Sequence, residues 1–91
     1  MSAKRVKPGN PMPVKEPSAV RRTLAYNVRF HRERLGLSQA RLGEMCDMTQ
    51  KRIWEIETPT EKSVTLSTIT IIAERLGVSE VQLLTPISRV T

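Results

Sequence analysis

The spacing of residues that begin and end helices constrains this chain most, because it divides the sequence into short segments. Ser18, Ser38, Thr49 and Ser79 each precede a run of helical period, and their hydroxyls can accept hydrogen bonds from the free N–H groups of a first turn. Five helical segments follow, and no segment has the alternation of a strand. The sequence therefore predicts an all-α fold, a compact five-helix domain.

The first three helices have clear predicted limits. The first runs from Ser18 to before Gly36 and carries a stripe at helical spacing: Val20, Leu24, Val28, His31 and Leu35. The second spans Gln39 to about Cys46, with Leu42 and either Met45 or Cys46 facing inward. Asp47 tolerates a left-handed turn before the third helix, Gln50 to Glu57, whose inward side is Ile53 and Ile56.

Two further helices are predicted after the polar loop 58–63. The fourth begins at Thr65 or Ser67 and closes at Gly77, with an apolar face of Leu66, Ile69, Ile72, Ala73 and Leu76. The fifth opens at Ser79, contains Val81, Leu83 and Leu84, and ends by Pro86. The predicted domain is 18–86, with a flexible basic arm at 1–17 and a short tail at 87–91.

The charge balance points to a polyanionic partner. The 91 residues hold 15 Lys+Arg against 9 Asp+Glu, a formal charge of +6, which favours nucleic acid first and an anionic membrane surface second. The arm carries Lys4, Arg5, Lys7 and Lys15 among prolines, and with Glu16 its four positive charges and one negative charge leave +3. Its charges indicate either a DNA-binding arm or a solvated leader.

Catalytic and membrane functions have little support in the sequence. The chain has one His, one Asp (Asp47) and one Cys, and its four glycines do not cluster into a phosphate-binding loop. His31 and Cys46 do not make a zinc site, which needs about four ligands; both are expected to be packing residues. We therefore expect a cytoplasmic binding protein rather than an enzyme, with no metal, no cofactor and no membrane segment.

The start of the third helix carries the most specific functional signal. Gln50, Lys51 and Arg52 lie in its first turn, and Glu55 shares the outer face with Lys51. Two short helices joined by a tight turn, with polar side chains at the start of the second, suit the major groove of DNA. Gln can pair with adenine, Lys can donate to guanine, and Glu can accept from cytosine.

A connected set of positions from about Leu24 to Leu84 strengthens this interpretation. Its members are Val28, Arg32, Gly36-Leu37-Ser38-Gln39, Leu42, Met48-Thr49, Ile53, Ile56-Glu57, Leu66, Ile69, Ile72-Ala73, Leu76-Gly77-Val78-Ser79 and Leu83-Leu84. In these residues the chain resembles the lambda-repressor-like Cro/repressor family of helix-turn-helix proteins, also called the XRE family. It departs from the family at Gly43, where Ala is usual, and at Asp47, where the turn usually has Gly.

The resemblance implies roles for individual residues. Gln50, Lys51 and Glu55 would read bases. The residues implied at the DNA backbone are Ser38, Gln39, Thr49, Arg52 and Lys62. Arg32 and Glu57 would form an ion pair that ties the third helix to the first.

The resemblance implies a sequence-specific regulator, a repressor in our interpretation, that binds a palindromic operator in double-stranded DNA as a homodimer. Ile71 and Val81 are candidates for the dimer surface. Alternatives are the antitoxin of a toxin–antitoxin pair, which would bind a toxin partner through another surface, and a protein-interaction module that does not bind DNA. Trp54 has two possible positions, either over the fourth helix or free for phosphate or partner contact.

Overall fold

The computed structural model describes residues 17–59 and 63–87, and these form five helices with no strand among them. The helices are α1 (Ala19–Arg34), α2 (Gln39–Cys46), α3 (Gln50–Glu57), α4 (Leu66–Leu76) and α5 (Glu80–Leu84). The predicted all-α, five-helix fold is confirmed. None of the helices in this part of the chain has the length and apolar character needed to cross a bilayer.

Each helix begins at a hydroxyl residue that caps its first turn. The caps are Ser18, Ser38, Thr49, Thr65 and Ser79, and each side chain accepts from the backbone N–H three residues later, at 2.9–3.3 Å. At α5 the Gln82 side chain also accepts from the Ser79 N–H, at 2.8 Å, which completes a capping box. Of the two predicted starts for α4, Thr65 is the cap. One such cap is typically worth about 1 kcal/mol.

All five helices contribute to a single core. Its buried members are Leu24, Val28, Leu42, Cys46, Ile53, Ile56, Ile69, Ile72, Ala73, Leu76 and Leu83. Because each side chain here is at least 96% buried and helices of this length are marginal alone, packing supplies most of their stability.

Three residues predicted to face the core are instead exposed: Val20, Leu35 and Leu66. Leu35 lies beyond the helix as its C-cap, so helical spacing no longer orients it. Val20 precedes Val28 by eight residues. Every four residues along a helix add a net rotation of about 40°, so Val20 points about 80° away from Val28 around the helix axis. Leu66 belongs to the first turn of α4. The buried face of α1 includes Ala25 instead.

The turn between α2 and α3 brings the two backbones into direct contact. Asp47 adopts the predicted left-handed conformation, with φ 60°, and the Met48 N–H donates to the Gly43 carbonyl at 2.7 Å. A Cβ atom on Gly43 would lie only 2.7 Å from the Met48 carbonyl oxygen and 3.2 Å from the Thr49 carbonyl carbon. The absence of a side chain at Gly43 therefore sets how closely α3 approaches α2.

Polar side chains of α1 bind the ends of two other helices. Helix α3 ends in the extended residue Thr58, and the Arg21 guanidinium donates to the carbonyls of Ile56 (2.8 Å), Glu55 (3.0 Å) and Thr58 (3.5 Å). Helix α5 also ends in an extended residue, and its last carbonyls accept from the buried side chain of Asn27. Helix α1 thus satisfies backbone groups that these helices leave open.

The Arg32–Glu57 ion pair joins α1 to the last residue of α3. Arg32 Nε donates to Glu57 Oε2 at 2.6 Å, and Nη2 donates to Oε1 at 2.9 Å. Arg32 Nη1 also donates to the Leu37 carbonyl at 2.7 Å. The side chains of Arg32 and Glu57 are only 10% and 4% exposed. The hydrogen bonds that Arg32 donates to the Glu57 carboxylate raise the pKa of Arg32, and they outweigh the opposing effect of burial.

We expect Gly43→Ala to destabilise the domain although alanine is the better helix former. Relieving a backbone clash costs about 1–3 kcal/mol, whereas the gain in helix propensity is at most about 1 kcal/mol. Thermal unfolding followed by circular dichroism measures the difference, and Ala40→Gly on the exposed side of α2 measures the propensity term alone. A melting temperature above that of the wild type in Gly43→Ala would contradict the close approach.

We expect Arg32→Met to cost several kcal/mol, up to about 3–5 for a fully buried pair, because Glu57 keeps a buried charge without its main partner. Urea denaturation gives the free energy of unfolding. Arg41→Met is the matched control, since Arg41 and Glu44 form an exposed pair at 3.0 Å that should contribute less than about 1 kcal/mol. Equal losses in the two variants would show that the Arg32–Glu57 pair does not hold α3.

Candidate nucleic-acid interface

The outer face of α3 begins with two exposed polar side chains, those of Gln50 and Lys51. Thr49 caps the helix directly before them. Ile53 and Ile56 are fully buried on the opposite side. The first turn of α3 therefore presents an amide and an ammonium group to solvent from a backbone that the core holds in place.

Glu55 has a charged neighbour on its own helix. Its carboxylate lies 3.6 Å from Arg52 Nη1, one turn earlier on α3, and both side chains are about one-third exposed. An i,i+3 pair of this exposure contributes only a few tenths of a kcal/mol. Glu55 can therefore leave Arg52 for a stronger partner at small cost.

The beginning of α2 lies beside the end of α3. The partly buried Gln39 donates from Nε2 to Glu57 Oε1 at 3.0 Å, so Glu57 binds side chains from both α1 and α2. An amide nitrogen has two N–H groups, which leaves the second for another acceptor. Ser38 and Thr49 accept capping bonds from Arg41 and Arg52, and each hydroxyl keeps its own hydrogen as a donor.

A polar recess of about 260 Å³ opens between α1, α2 and α3. Its lining residues are Arg29, Arg32, Gln39, Trp54, Glu57 and Thr58. Trp54 is 52% exposed. These residues come from the first three helices and the turn after them, so α4 does not line the recess at which the indole lies.

Arg21 is the residue of this region that the sequence analysis missed. It is buried, and desolvation, followed by the positive charge of Arg52, lowers its pKa. A usable signal was present, because Arg21 and Arg32 are 11 residues apart, about three helical turns, and so share a face of α1. Two arginines on that face hold the end of α3.

His31 and Cys46 are both buried, as expected for packing residues. The His31 ring meets Phe30 edge-on with centroids 5.2 Å apart. Burial, and then the charge of Arg34, lower the pKa of His31. Burial raises the pKa of the Cys46 thiol, with a smaller opposing effect from Arg75. The thiol is therefore in its less reactive protonated form at neutral pH.

Other predicted site residues belong to α4 and α5 or lie outside the described residues. Ile71 packs partly against the core, whereas Val81 is 71% exposed. Lys62 and the arm residues Lys4, Arg5, Lys7 and Lys15 fall outside the residues that the structure describes.

Comparisons with known proteins agree with the geometry. A helix-turn-helix family model matches residues 28–83. A hypothetical transcription factor, NHTF from Neisseria, is 33% identical with a TM-score of 0.70, and the match covers 84% of this chain and 88% of that one. The clp gene regulator ClgR from Corynebacterium glutamicum is 25% identical with a TM-score of 0.67, covering 76% and 86% of the two chains.

A further structural match comes from an enzyme. Hydroxypropylphosphonic acid epoxidase from S. wedmorenis is 23% identical with a TM-score of 0.68, and the match covers 76% of this chain but 36% of that one. At this identity the likeness shows the fold alone. No curated protein matches the sequence.

The family match includes the last seven of the sixteen residues of α1, all of α2, α3 and α4, and most of α5. Within it lie the tight turn at Asp47 and the exposed start of α3. The chain belongs to the lambda-repressor-like (XRE) helix-turn-helix family of DNA-binding transcription regulators.

Proposed function

We propose that this protein binds one operator sequence in double-stranded DNA through α3, and that it represses transcription from the adjacent promoter. The observation that carries the proposal is the exposed pair Gln50 and Lys51 above the fully buried Ile53 and Ile56. Side chains at the start of a fixed helix can reach base edges in a major groove, which admits one helix.

Three side chains of α3 are the proposed readers. Gln50 pairs with adenine and Lys51 donates to guanine. Glu55 accepts from cytosine after exchanging its weak contact with Arg52, which then turns to a phosphate. A preference for a half-site that contains G·C follows from these pairings.

The remaining contacts are proposed to fall on the DNA backbone. Ser38, Gln39 and Thr49 have donors left after their capping and side-chain bonds. Lys62 and the arm, through Lys4, Arg5, Lys7 and Lys15, would add phosphate contacts that carry no sequence information. The net charge of +6 supports this electrostatic share of the affinity. The protein would act in the cytoplasm.

The protein is proposed to bind as a homodimer, with half-sites about one helical turn, roughly 34 Å, apart. Two-fold symmetry of the protein would require a palindromic operator. Val81 supports a dimer surface on α5, because it is an apolar side chain with 71% of its surface exposed. Ile71 would lie at the edge of that surface, since much of it already packs against the core.

We expect Lys51→Ala and Glu55→Ala each to weaken binding to the preferred site by about 1–3 kcal/mol and to relax selectivity at one base pair. Folding should be spared, because Lys51 is exposed and the Glu55 pair is weak. Fluorescence anisotropy with a panel of single-base operator variants measures both effects. Glu44→Ala, an exposed change on α2, is the control. If both variants bind the panel as the wild type does, α3 is not the reader.

We expect Val81→Glu to reduce the number of protein chains on a palindromic duplex from two to one at moderate protein concentration. The introduced charge would have to be buried without a partner in the proposed interface. Analytical ultracentrifugation on the labelled duplex gives the stoichiometry. Val20→Glu makes the same chemical change at an exposed site on α1. Two chains bound by Val81→Glu with unchanged affinity would remove α5 from the dimer model.

A further inference from the structure

We propose that the recess beside α3 receives one phosphate of the DNA backbone, and that the Trp54 indole packs on the adjoining deoxyribose while its Nε1–H donates to that phosphate. The inference rests on the proposed function, because it requires α3 to lie in the major groove. It adds a contact outside the base-reading set of Gln50, Lys51 and Glu55.

The position of Trp54 on α3 places it toward bound DNA. It follows Gln50 by four residues, which is a rotation of about 40° and a rise of about 6 Å along the helix. It therefore shares the outer face of α3 but stands one turn farther from the N-terminus. The indole also lines the recess with Gln39 of α2, and Glu55 is not among the lining residues.

The helices beside Trp54 favour a contact with the DNA backbone over a contact with base edges. In a helix-turn-helix the first helix crosses the backbone while the second enters the groove. Trp54 stands one turn after Gln50 on α3, and it lines the recess together with Gln39 at the start of the crossing helix. A side chain at this recess, next to the helix that crosses the backbone, would meet sugar and phosphate rather than base edges.

The charge of the recess suits a phosphate. The Glu57 carboxylate is neutralised by Arg32 at 2.6 Å. Arg29 on the rim is exposed. Among the contacts that the structure gives Arg29, its one partner is the Glu33 carboxylate, which is also exposed and lies 3.1 Å away. Such a surface pair exchanges readily for a phosphate. The second N–H of Gln39 is a further donor there.

The chemistry of the indole matches the mixed surface of a nucleotide backbone. Trp54 has a flat apolar face and a single N–H donor, and it is 52% exposed in a recess whose other residues are polar. Packing on the deoxyribose would remove apolar ring surface from water, and the N–H would make a charge-assisted bond. Both contacts are independent of sequence.

Trp54 is the only tryptophan in the chain, so its fluorescence reports on this contact directly. The probe is a duplex of the sequence recovered from a random DNA pool, and binding is measured separately through a label on the DNA. We expect saturation with this duplex to reduce acrylamide quenching of Trp54 at least about two-fold, since the bound backbone covers the ring. Equal quenching in the free and bound protein would overturn the proposal.

Trp54→Phe keeps an aromatic face and removes the donor. We expect about 10-fold weaker binding, as for the loss of one hydrogen bond to a charged group. The pattern of preferred bases should stay as in the wild type, and the salt dependence should be unchanged because no charge is removed. Tyr26→Phe, at a ring with similar exposure on α1, should bind as the wild type does.

A scan of duplexes with one neutral methylphosphonate each locates the partner phosphate. At one position, the Trp54→Phe loss should disappear, because the acceptor charge is already gone. Wild-type affinity in Trp54→Phe, or a changed preference at a single base pair, would overturn the backbone contact. Failure of the labelled duplex to bind the wild-type protein at all would instead contradict the proposed function.

Discussion

The buried carboxylate of Glu57 is the charge on which the orientation of α3 depends. With its side chain only 4% exposed, it is stable there because Arg32 and Gln39 supply three hydrogen bonds from two other helices. Removing a buried charge from its partner is expensive, so α1, α2 and the end of α3 are fixed relative to one another. The contacts at the C-terminal end of α3 therefore also set the direction in which its exposed first turn points.

The ways in which the helices end explain why α1 carries so many buried polar groups. Helices α2 and α4 close on left-handed residues, Asp47 and Gly77, whose N–H groups return to the preceding turn. Helices α3 and α5 end on extended residues, and their open carbonyls accept from Arg21 and Asn27 of α1. The longest helix therefore serves as a side-chain cap for two short ones, one of which is the proposed reader.

Local signals in the sequence were sufficient for the helix boundaries, and less so for contacts between helices. The limits of α2 and α3 and the left-handed turn at Asp47 follow from cap and turn chemistry that acts over four or five residues. The spacing of Arg21 and Arg32 places both on one face of α1. The acceptor of Arg21 is the Ile56 carbonyl, 35 positions away, and no local pattern encodes that partner. The spacing of Glu55 and Lys51 predicts a shared face, but it does not predict that the Glu55 carboxylate lies 3.6 Å from Arg52.

The most direct test of α3 as the reader is selection of bound duplexes from a random DNA pool by the full chain at about 150 mM salt, with sequencing of the recovered DNA. The expected result is two inverted half-sites about one helical turn apart. Each half-site should contain a G·C pair, and the enrichment of that pair should be lost for Lys51→Ala. A recovered pool with the base composition of the input, or one whose preferences are identical for wild type and Lys51→Ala, would contradict the account.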